Sequence, residues 1–468
     1  GLGDVYKRQV EDDRPHCFIA YTVKGWGLPF AGHKDNHAGL MTPDQMAAFR
    51  AQMRIPEGAE WDRHAGLEID AELFDAFLER LPYRRRTGRH DAVRVSVPAT
   101  LPTGRIAATS STQEAFGRIM GELARGDSEL ASRIVTTSPD VTVSTNLGPW
   151  VTRRGVFNRR EHEDVFKSEA VASPTVWRES QQGQHMELGI AENNLFLNLA
   201  SLGLAHELFG ARLLPVGTLY DPFINRGLDA LIYACYQGAR FLLVATPSGI
   251  SLAPEGGAHQ SIGTPLIGLS QPGLVAFEPA YADELVVIMR WAFAHLQAGD
   301  GGSVYLRLTT RQIDQPSRDR APDGTLAGGY WLVPPGAHAE LALVYAGAVA
   351  PEVLAAHREM AEDLPGLGIL AVTSADRLHA DWVAHGAESH VARLLEQLPN
   401  AAALVTVLDG HPLTLSWLGA VRGQAVRPLG VEAFGQSADI PDLYRIQEID
   451  IDAIVDAAAA ALLVRAAS

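Results

Sequence analysis

The fold is decided around His185-Met-Glu-Leu-Gly-Ile-Ala-Glu-Asn-Asn194, a polar stretch that turns into an apolar helical pattern. Gly189 stands just before that pattern, which predicts a long helix over 190–208. Glu192 therefore falls in the first turn, where the positive end of the helix dipole favours a carboxylate. In an ordinary helix this preference alone would explain Glu192, so a functional role needs evidence from elsewhere in the sequence.

Strand and helix patterns alternate on both sides of this stretch. Strands are predicted over 133–137, 212–219, 241–246, 275–277 and 304–308, and helices over 225–238 and 283–296. A second alternating block has predicted strands over 341–345, 368–372 and 403–408 and a last helix over 452–464. Such alternation is typical of parallel sheets with helices on both faces. The predicted fold class is α/β, with two parallel or mixed-sheet sandwich domains.

Local composition divides the chain into segments. The capping box Ser111-Thr-Gln-Glu114 begins the first helix of a complete domain predicted over 110–312. The stretch 313–329 carries Pro, Gly, Asp and Arg without an apolar period and is predicted to be a linker. A second complete domain is predicted over 330–468, a linker with one helix over 61–109, and the end of a third domain over 1–60.

The first 60 residues contain several distinct patterns. Residues 1–9 lack an initial Met and match nothing that follows, so we expect them to be an artefact of the sequence. The run over 16–23 predicts a short buried strand, and a Gly-rich mobile loop follows it. Thr42 is then expected to cap a helix that continues to about Met53, and a second amphipathic helix is predicted over 70–81.

Composition excludes several classes of protein. The 468 residues carry a formal net charge of −16, which argues against a nucleic-acid or anionic membrane surface. No apolar run reaches the roughly 18 residues that a membrane helix needs. The two cysteines, Cys17 and Cys235, form no metal-binding spacing, and we expect two buried thiols in the reducing cytoplasm.

Gly189-Ile-Ala-Glu192 resembles the glycine-isoleucine-x-glutamate motif of the transketolase superfamily, whose members use thiamine diphosphate. The resemblance implies that Glu192 hydrogen-bonds a ring nitrogen of the cofactor's aminopyrimidine and acts catalytically by activating the cofactor. It also implies that Ile190, inside the motif, lies at the cofactor.

Two further segments resemble this family in the same order. Pro139-Asp-Val-Thr-Val-Ser-Thr-Asn-Leu147 is similar to a transketolase segment whose acid, here Asp140, lies close to the cofactor. Tyr220-Asp-Pro-Phe-Ile-Asn-Arg226 resembles the segment whose aromatic ring, here Phe223, stacks on the aminopyrimidine, with Tyr220 beside it. Without such matches, the aromatic residues would be ordinary core residues after a strand, and Asp140 would only cap a turn.

A Gly-rich loop supplies a histidine. Glu255-Gly-Gly-Ala-His-Gln260 resembles the loop that brings a catalytic histidine to the substrate, here His259. The alternative is an ordinary surface histidine.

An upstream region resembles the end of the superfamily's diphosphate-binding domain. Tyr21-Thr-Val-Lys-Gly-Trp-Gly27 and Asn36-His-Ala-Gly39 are most similar to the homodimeric pyruvate dehydrogenase component, whose mobile histidine loop starts this way. The resemblance implies that His37 is a catalytic proton donor during acyl transfer to a lipoyl group.

Together, these resemblances imply a domain assignment and an activity. Residues 1–60 would be a remnant of the diphosphate-binding domain, 110–312 the pyrimidine-binding domain and 330–468 a transketolase-like C-terminal domain. The implied activity is oxidative decarboxylation of a small 2-oxoacid, pyruvate or 2-oxobutyrate. The implied partners are a second copy of the chain and the lipoyl domain of a dihydrolipoyl acyltransferase.

Two other functions stay open. Asp140 and His259-Gln260 favour a transketolase that moves a two-carbon unit between sugar phosphates. A non-catalytic partner chain that needs a separate diphosphate-binding subunit is the third hypothesis.

The metal site is expected outside this sequence. Gly299-Asp300-Gly301 has the letters of a Mg²⁺-diphosphate motif, but it lies before a late strand and no suitable Asn follows, so a turn is predicted. His33 and His37 are four apart without an evident third ligand, so no metal ligand is assigned. Mg²⁺ and the diphosphate would bind in a part upstream of residue 1, and this chain alone is expected to be inactive.

Overall fold

The computed structural model describes residues 17, 19–81, 89–90, 92–160 and 177–467. The chain forms two compact units, unit 1 (Gly1–Gly88) and unit 2 (Arg89–Ser468), which are described separately. Residues 1–9, the predicted artefact, lie outside the described part. Over the described residues, no helix combines the length and the apolar character needed to cross a membrane.

Unit 1 contains two capped helices, α1 (Pro43–Gln52) and α2 (Ala71–Glu79), and a 3-10 turn at Lys34–His37. Thr42 Oγ1 accepts a hydrogen bond from the Gln45 N–H at 3.2 Å, and Gln45 Oε1 accepts one from the Thr42 N–H at 2.9 Å. This reciprocal pair satisfies N–H groups that the helix itself leaves without a partner. The predicted cap at Thr42 is confirmed.

The predicted buried strand over 16–23 is wrong for the residues that the structure describes. Cys17 and residues 19–23 are exposed and belong to no strand, whereas His16 and Phe18 lie outside the described residues. A strand is stable only where a neighbour pairs with its backbone, and the described part of unit 1 offers no second strand. Of the two expected buried thiols, Cys235 is buried and Cys17 is exposed.

Unit 2 is built on an eight-stranded sheet in the order β4-β3-β5-β2-β6-β7-β9-β8, in which every pair of neighbours is parallel. Its strands are β2 (Ile134–Ser138), β3 (Val156–Phe157), β4 (Glu179–Ser180), β5 (His185–Glu187), β6 (Leu214–Leu219), β7 (Leu242–Ala245), β8 (Leu274–Phe277) and β9 (Ser303–Arg307). The short strands β1 (Thr109–Ser110) and β10 (Ile313–Asp314) form a separate antiparallel pair.

Helices cover both faces of this sheet. They are α3 (Thr112–Arg125), α4 (Glu129–Arg133), α5 (Gly148–Arg154), α6 (Glu192–Gly203), α7 (Ala205–Leu208), α8 (Leu228–Tyr236), α9 (Thr264–Ser270) and α10 (Ala282–His295). One core contains Phe116, Trp150 and Ile288, and another contains Phe196 and Phe241. Both faces are therefore buried, as a parallel sheet requires.

A second, five-stranded sheet has the order β11-β13-β12-β14-β15, and only the edge strand β11 runs antiparallel to its neighbour. Its strands are β11 (Gly329–Val333), β12 (Leu341–Ala346), β13 (Gly368–Val372), β14 (Ala403–Leu408) and β15 (Val426–Leu429). Its helices are α11 (Ala350–Met360), α12 (Ala375–His385), α13 (His390–Glu396), α14 (Leu413–Ser416), α15 (Gly419–Arg422), α16 (Ile440–Ile446) and α17 (Ile451–Ala467). The predicted α/β class with parallel and mixed sheets is confirmed.

Two local predictions have different outcomes. The helix predicted over 190–208 begins at Glu192 and ends at Gly203, before the short α7. A side chain at Gly203 would meet the Arg240 backbone nitrogen at 2.6 Å, so this helix end packs directly against a neighbouring loop. Gly299-Asp300-Gly301 lies in the predicted turn between α10 and β9. The domain limits 110–312 and 330–468 stay predictions.

Candidate active site at the carboxyl ends of four strands

Four neighbouring strands, in the order β5-β2-β6-β7, end at the same edge of the large sheet. The segment with Asp140 follows β2, α6 with Glu192 follows β5, Tyr220 follows β6, and the loop with His259 follows β7. The chain changes direction across the sheet here, because β5 and β6 lie on opposite sides of β2. Such switch points form crevices outside the carboxyl ends of parallel strands, where ligands bind.

Glu192 is the first residue of α6 and so lies in its first turn, as the sequence predicted. Gly189 adopts a φ of +65°, a left-handed conformation that glycine accepts without strain and that turns the chain into the helix. The Glu192 side chain is only 10% exposed, and its Oε1 accepts a hydrogen bond from Arg226 Nη1 at 2.7 Å. The site therefore holds a nearly buried carboxylate at a helix N-terminus.

Aromatic rings stand beside this carboxylate. The rings of Tyr220 and Phe223 are stacked with centroids 6.1 Å apart, and the His259 ring meets Phe223 edge-on at 5.3 Å. Arg226 bridges the two parts of the site, because its guanidinium carbon lies 3.9 Å from the centre of the Phe223 ring. Stacked and edge-on arrangements at these distances are favourable for aromatic pairs.

His259 presents an unsatisfied polar atom. Its Nδ1 is buried without a hydrogen-bond partner in the described structure, and its Nε2 lies 3.8 Å from Glu255 Oε2. Gly256, with a φ of +84°, turns the chain just before the short 3-10 segment Gly257–His259. A buried nitrogen without a partner costs free energy unless a ligand or water satisfies it.

Asp140 belongs to a polar network at the end of β2. Its N–H donates a hydrogen bond to Glu187 Oε1 at 2.9 Å, and Thr142 Oγ1 donates to Glu187 Oε2 at 2.7 Å. The fully buried His185 lies 3.3 Å from the same Glu187 oxygen. Burial alone would raise the pKa of Glu187, but hydrogen bonds from His185, Thr142 and the Asp140 N–H outweigh it and lower that pKa.

The structure thus brings together Glu192, Tyr220, Phe223 and His259. Ile190, two residues before α6, is 79% exposed. His37 lies in unit 1, where its Nδ1 is 2.9 Å from Lys24 Nζ.

Two residues of this region, Arg226 and Glu187, were not predicted from the sequence. Arg226 closes the quoted aromatic segment, and Glu187 precedes the quoted glycine motif, yet neither received a role. The available signal was a charged residue inside each segment, but only the fold shows that Arg226 faces Glu192.

The family model for the pyrimidine-binding domain of transketolase matches residues 108–314. Over these residues the chain carries a transketolase-type pyrimidine-binding domain. It is 26% identical over 483 residues to the pyruvate dehydrogenase E1 component of Mycolicibacterium smegmatis, covering 94% of this chain and 51% of that protein. The chain therefore spans about half the length of the curated relatives it matches.

Solved transketolase structures share the fold. A transketolase from Leishmania mexicana superposes with a TM-score of 0.60 at 18% identity, covering 89% of this chain and 49% of that one. A structure titled split gene transketolase, inactive beta4 tetramer, superposes with a TM-score of 0.54 at 19% identity. It matches 76% of this chain and 99% of its own length.

No candidate metal site is found among the described residues. Those residues contain no group of three or more His, Cys, Asp or Glu side chains that could hold a metal ion.

Proposed function

We propose that the chain supplies the aminopyrimidine-binding side of a thiamine diphosphate enzyme that oxidatively decarboxylates a small 2-oxoacid, pyruvate or 2-oxobutyrate. The proposal depends chiefly on one observation, the nearly buried Glu192 carboxylate that Arg226 joins to the stacked rings of Phe223 and Tyr220. An aminopyrimidine is a flat heterocycle with N–H donors and a protonatable ring nitrogen, so a carboxylate and an aromatic face suit it. The name of the M. smegmatis relative supports the reaction class.

Each site residue then has a distinct task. Glu192 would hold a proton at Oε1 or Oε2 against the ring nitrogen, and Phe223 would stack on the heterocycle with Tyr220 behind it. Asp140 and Ile190 would line the same pocket. When bound, thiamine diphosphate would supply the electron sink for loss of carbon dioxide. His259 would donate or accept a hydrogen bond through its unpartnered Nδ1 and so orient the substrate.

His37 would act in the second half of the reaction, as proton donor during acyl transfer to the lipoyl domain of a dihydrolipoyl acyltransferase. Its exposed position supports this role, because an imidazole at the surface is accessible to a lipoyl group carried by a partner. His37→Ala should slow transfer to a lipoyl domain much more than decarboxylation with an artificial electron acceptor. Equal losses in the two assays would leave His37 only a structural role.

The proposed assembly contains a diphosphate-binding part and a second copy of the chain. Mg²⁺ and the diphosphate would be held by the part of the relatives that this chain does not cover. A cytoplasmic location also stays part of this proposal.

One observation favours a second candidate, a chain that is inactive until a separate diphosphate-binding subunit joins it. The split gene transketolase structure, an inactive tetramer, superposes on 76% of this chain and on 99% of its own length. A transketolase activity on sugar phosphates is the remaining alternative.

Calorimetric titration with thiamine diphosphate and Mg²⁺ tests the pyrimidine site. Glu192→Gln should weaken binding by about ten- to a hundredfold, since it removes a charge-assisted hydrogen bond. Glu207→Gln is the matched control, because Glu207 is also partly buried and paired with an arginine, Arg89, outside the site. Equal affinities for the two variants would refute the assignment of Glu192.

Turnover tests the reaction class. The chain should be assayed alone and with the unaligned part of the M. smegmatis relative, using pyruvate, 2-oxobutyrate and xylulose 5-phosphate. Release of carbon dioxide from a 2-oxoacid only in the mixture supports the proposal. Turnover of xylulose 5-phosphate but of neither 2-oxoacid would identify a transketolase instead.

A further inference from the structure

A fully buried aspartate begins the segment that carries the aromatic site. Asp221 is the first residue of the 3-10 segment Asp221–Gly227, which contains both Phe223 and Arg226. Its carboxylate accepts hydrogen bonds from Ser261, Tyr305 and Arg307, and from Thr264 Oγ1 at 2.5 Å. Four donors on one carboxylate fix the start of the aromatic segment. If these partners moved away, a buried charge would be left unpaired, at a large cost in free energy.

The same carboxylate also holds the histidine loop. Ser261 follows His259 closely in sequence, and its hydroxyl donates to Asp221 while accepting the Gly249 N–H at 2.8 Å. Both ends of the loop over 249–261 therefore meet at Ser261. Because Asp221 anchors this serine and also begins the Phe223 segment, one carboxylate links the segment of Phe223 to the loop of His259.

Arg307 extends this connection to the second sheet. It lies at the end of β9, its Nε donates to Asp221 at 3.1 Å, and its Nη2 donates to the Asp409 backbone oxygen at 2.7 Å. Asp409 follows β14, and its carboxylate accepts the Ile250 N–H at 2.9 Å. The histidine loop is thus held from the large sheet through Asp221 and from the second sheet through Asp409.

Close packing leaves little freedom at this junction. Gly249 has a φ of +61°, and a side chain there would meet the Asp409 carboxyl carbon at 2.4 Å. Arg307 also pairs with Glu278, which follows β8. We call the four side chains Asp221, Glu278, Arg307 and Asp409 the carboxylate hub.

We infer that Asp221 is a positioning residue that sets the geometry of the Phe223 and His259 rings and couples the proposed pyrimidine site to the second sheet through Arg307. The geometric part depends only on the contacts above, whereas its consequence for cofactor affinity rests on the proposed function. Asp221 begins the segment of Phe223 and anchors the loop of His259 through Ser261.

Histidine NMR signals of the intact chain test the geometry directly. The His259 ring lies 5.3 Å from Phe223 and 6.4 Å from Tyr220, so ring currents make its ring-proton shifts sensitive to their placement. His259→Gln identifies the signal by its loss. Asp221→Asn keeps the shape but removes the charge that Arg307 needs, and it should shift the His259 signal.

Asp283→Asn is the matched control, since Asp283 forms a partly buried ion pair with Arg318 away from these rings. It should lower thermal stability without moving the His259 signal. An unchanged His259 signal in a folded Asp221→Asn variant would overturn the inference.

A milder variant covers the case in which Asp221→Asn does not fold. Ser261→Ala removes the hydroxyl between Asp221 and Gly249, and it should shift the same signal. Ser389→Ala, at a buried helix cap in the second sheet's helical layer, is its control and should leave the signal in place. If Ser261→Ala and Ser389→Ala shifted the His259 signal by the same amount, or if neither shifted it, the inference would be contradicted.

Calorimetry with thiamine diphosphate and Mg²⁺ separates the two proposals. Asp221→Asn and Ser261→Ala should each lower the affinity by about tenfold, whereas the controls should not. If the wild-type chain showed no binding, the pyrimidine site would fail while the NMR result still decided the role of Asp221. Normal affinity in a variant with a shifted His259 signal would overturn the coupling to the site.

Discussion

At the scale of single residues, Arg226 contacts both groups that an aminopyrimidine would use, the Glu192 carboxylate and the Phe223 ring. It donates to Glu192 Oε1 at 2.7 Å and lies 3.9 Å from the Phe223 ring, yet its side chain is 54% exposed. A ligand must displace this guanidinium, which can turn into solvent. Arg226→Met should therefore strengthen thiamine diphosphate binding by several-fold, measured by calorimetry with Mg²⁺. Arg445→Met, at an exposed arginine paired with Asp442, is the control, and weaker binding by the Arg226 variant would show that Arg226 assists the ligand.

The sequence predicted part of this residue-level arrangement. Gly189 before an apolar pattern placed Glu192 in the first turn of a helix, and the structure confirms that position. The contact between Glu192 and Arg226 could not be predicted, because Glu192 follows β5 and Arg226 follows β6. The two residues come together only because β5 and β6 lie on either side of β2 in the folded sheet. The catalytic and cofactor roles stay predictions.

At the scale of elements, the capping box that begins α3 is both predicted and present. Ser111 Oγ accepts the Glu114 N–H at 3.1 Å, and Glu114 Oε2 accepts the Ser111 N–H at 3.4 Å. Because α3 packs its buried face on the large sheet, loss of the cap should destabilise unit 2. Ser111→Ala should lower the free energy of unfolding by about 1 kcal/mol in denaturant titration. Ser201→Ala, at an exposed position inside α6, should change it much less, and equal effects would argue against the cap.

Local signals predict elements well only where the element satisfies its own backbone. The caps at Thr42 and Ser111 act within one turn, so the sequence contains them completely. The strand predicted over 16–23 failed because its apolar composition specifies no neighbour with which its backbone could pair. For the same reason, the two-residue strands β3 and β4 were not predicted, since parallel pairing with each other and with β5 defines them.

The carboxylate hub joins elements of both sheets and should make stability depend on pH. Burial raises the pKa of Glu278 to about 7 and that of Asp409 to about 6, although Arg307 opposes both shifts. One guanidinium, that of Arg307, faces the carboxylates of Asp221, Glu278 and Asp409. Glu278 and Asp409 therefore stay protonated in the folded chain at pH values at which they are already ionised in the unfolded chain. The free energy of unfolding should therefore fall as the pH rises from about 5 to 8.

Glu278→Gln tests this element-scale prediction, because glutamine has no proton to release. Its slope of unfolding free energy against pH should be shallower than that of the wild type, measured by urea titration between pH 5 and 8. Glu388→Gln, at an exposed glutamate, should keep the wild-type slope. Burial lowers the pKa of His206 and His295, which makes the unfolding free energy rise with pH. This contribution is the same in all three proteins, so it does not affect the comparison of slopes. Identical slopes in the three proteins would refute a titrating Glu278.

At the scale of the whole molecule, apolar side chains remain exposed beside the candidate site. Leu197 on α6 and Ile232, Tyr233 and Tyr236 on α8 are all exposed, and Tyr236 is 85% exposed. Exposed apolar patches of this kind mark protein interfaces. These helices begin at or just after the residues of the site, so a partner on this face would cover Glu192 and Phe223. The sequence could predict a dimer only through the family resemblance, because the clustering of these residues depends on the packing of α6 on α8.

We propose that a second copy of the chain covers this face. A single charge introduced there should prevent the two copies from pairing. Tyr236→Glu places a carboxylate where an apolar interface would bury it without a counter-charge, at a cost of several kcal/mol. Sedimentation velocity should show a dimer or larger assembly for the wild type and a monomer for this variant. Val383→Glu, at another exposed apolar residue, on α12, should keep the wild-type state. A monomeric wild type would show that the exposed face of α6 and α8 does not pair two copies. If instead both variants kept the wild-type assembly, the copies would have to meet through another surface, and the site at Glu192 would have to be complete within one chain.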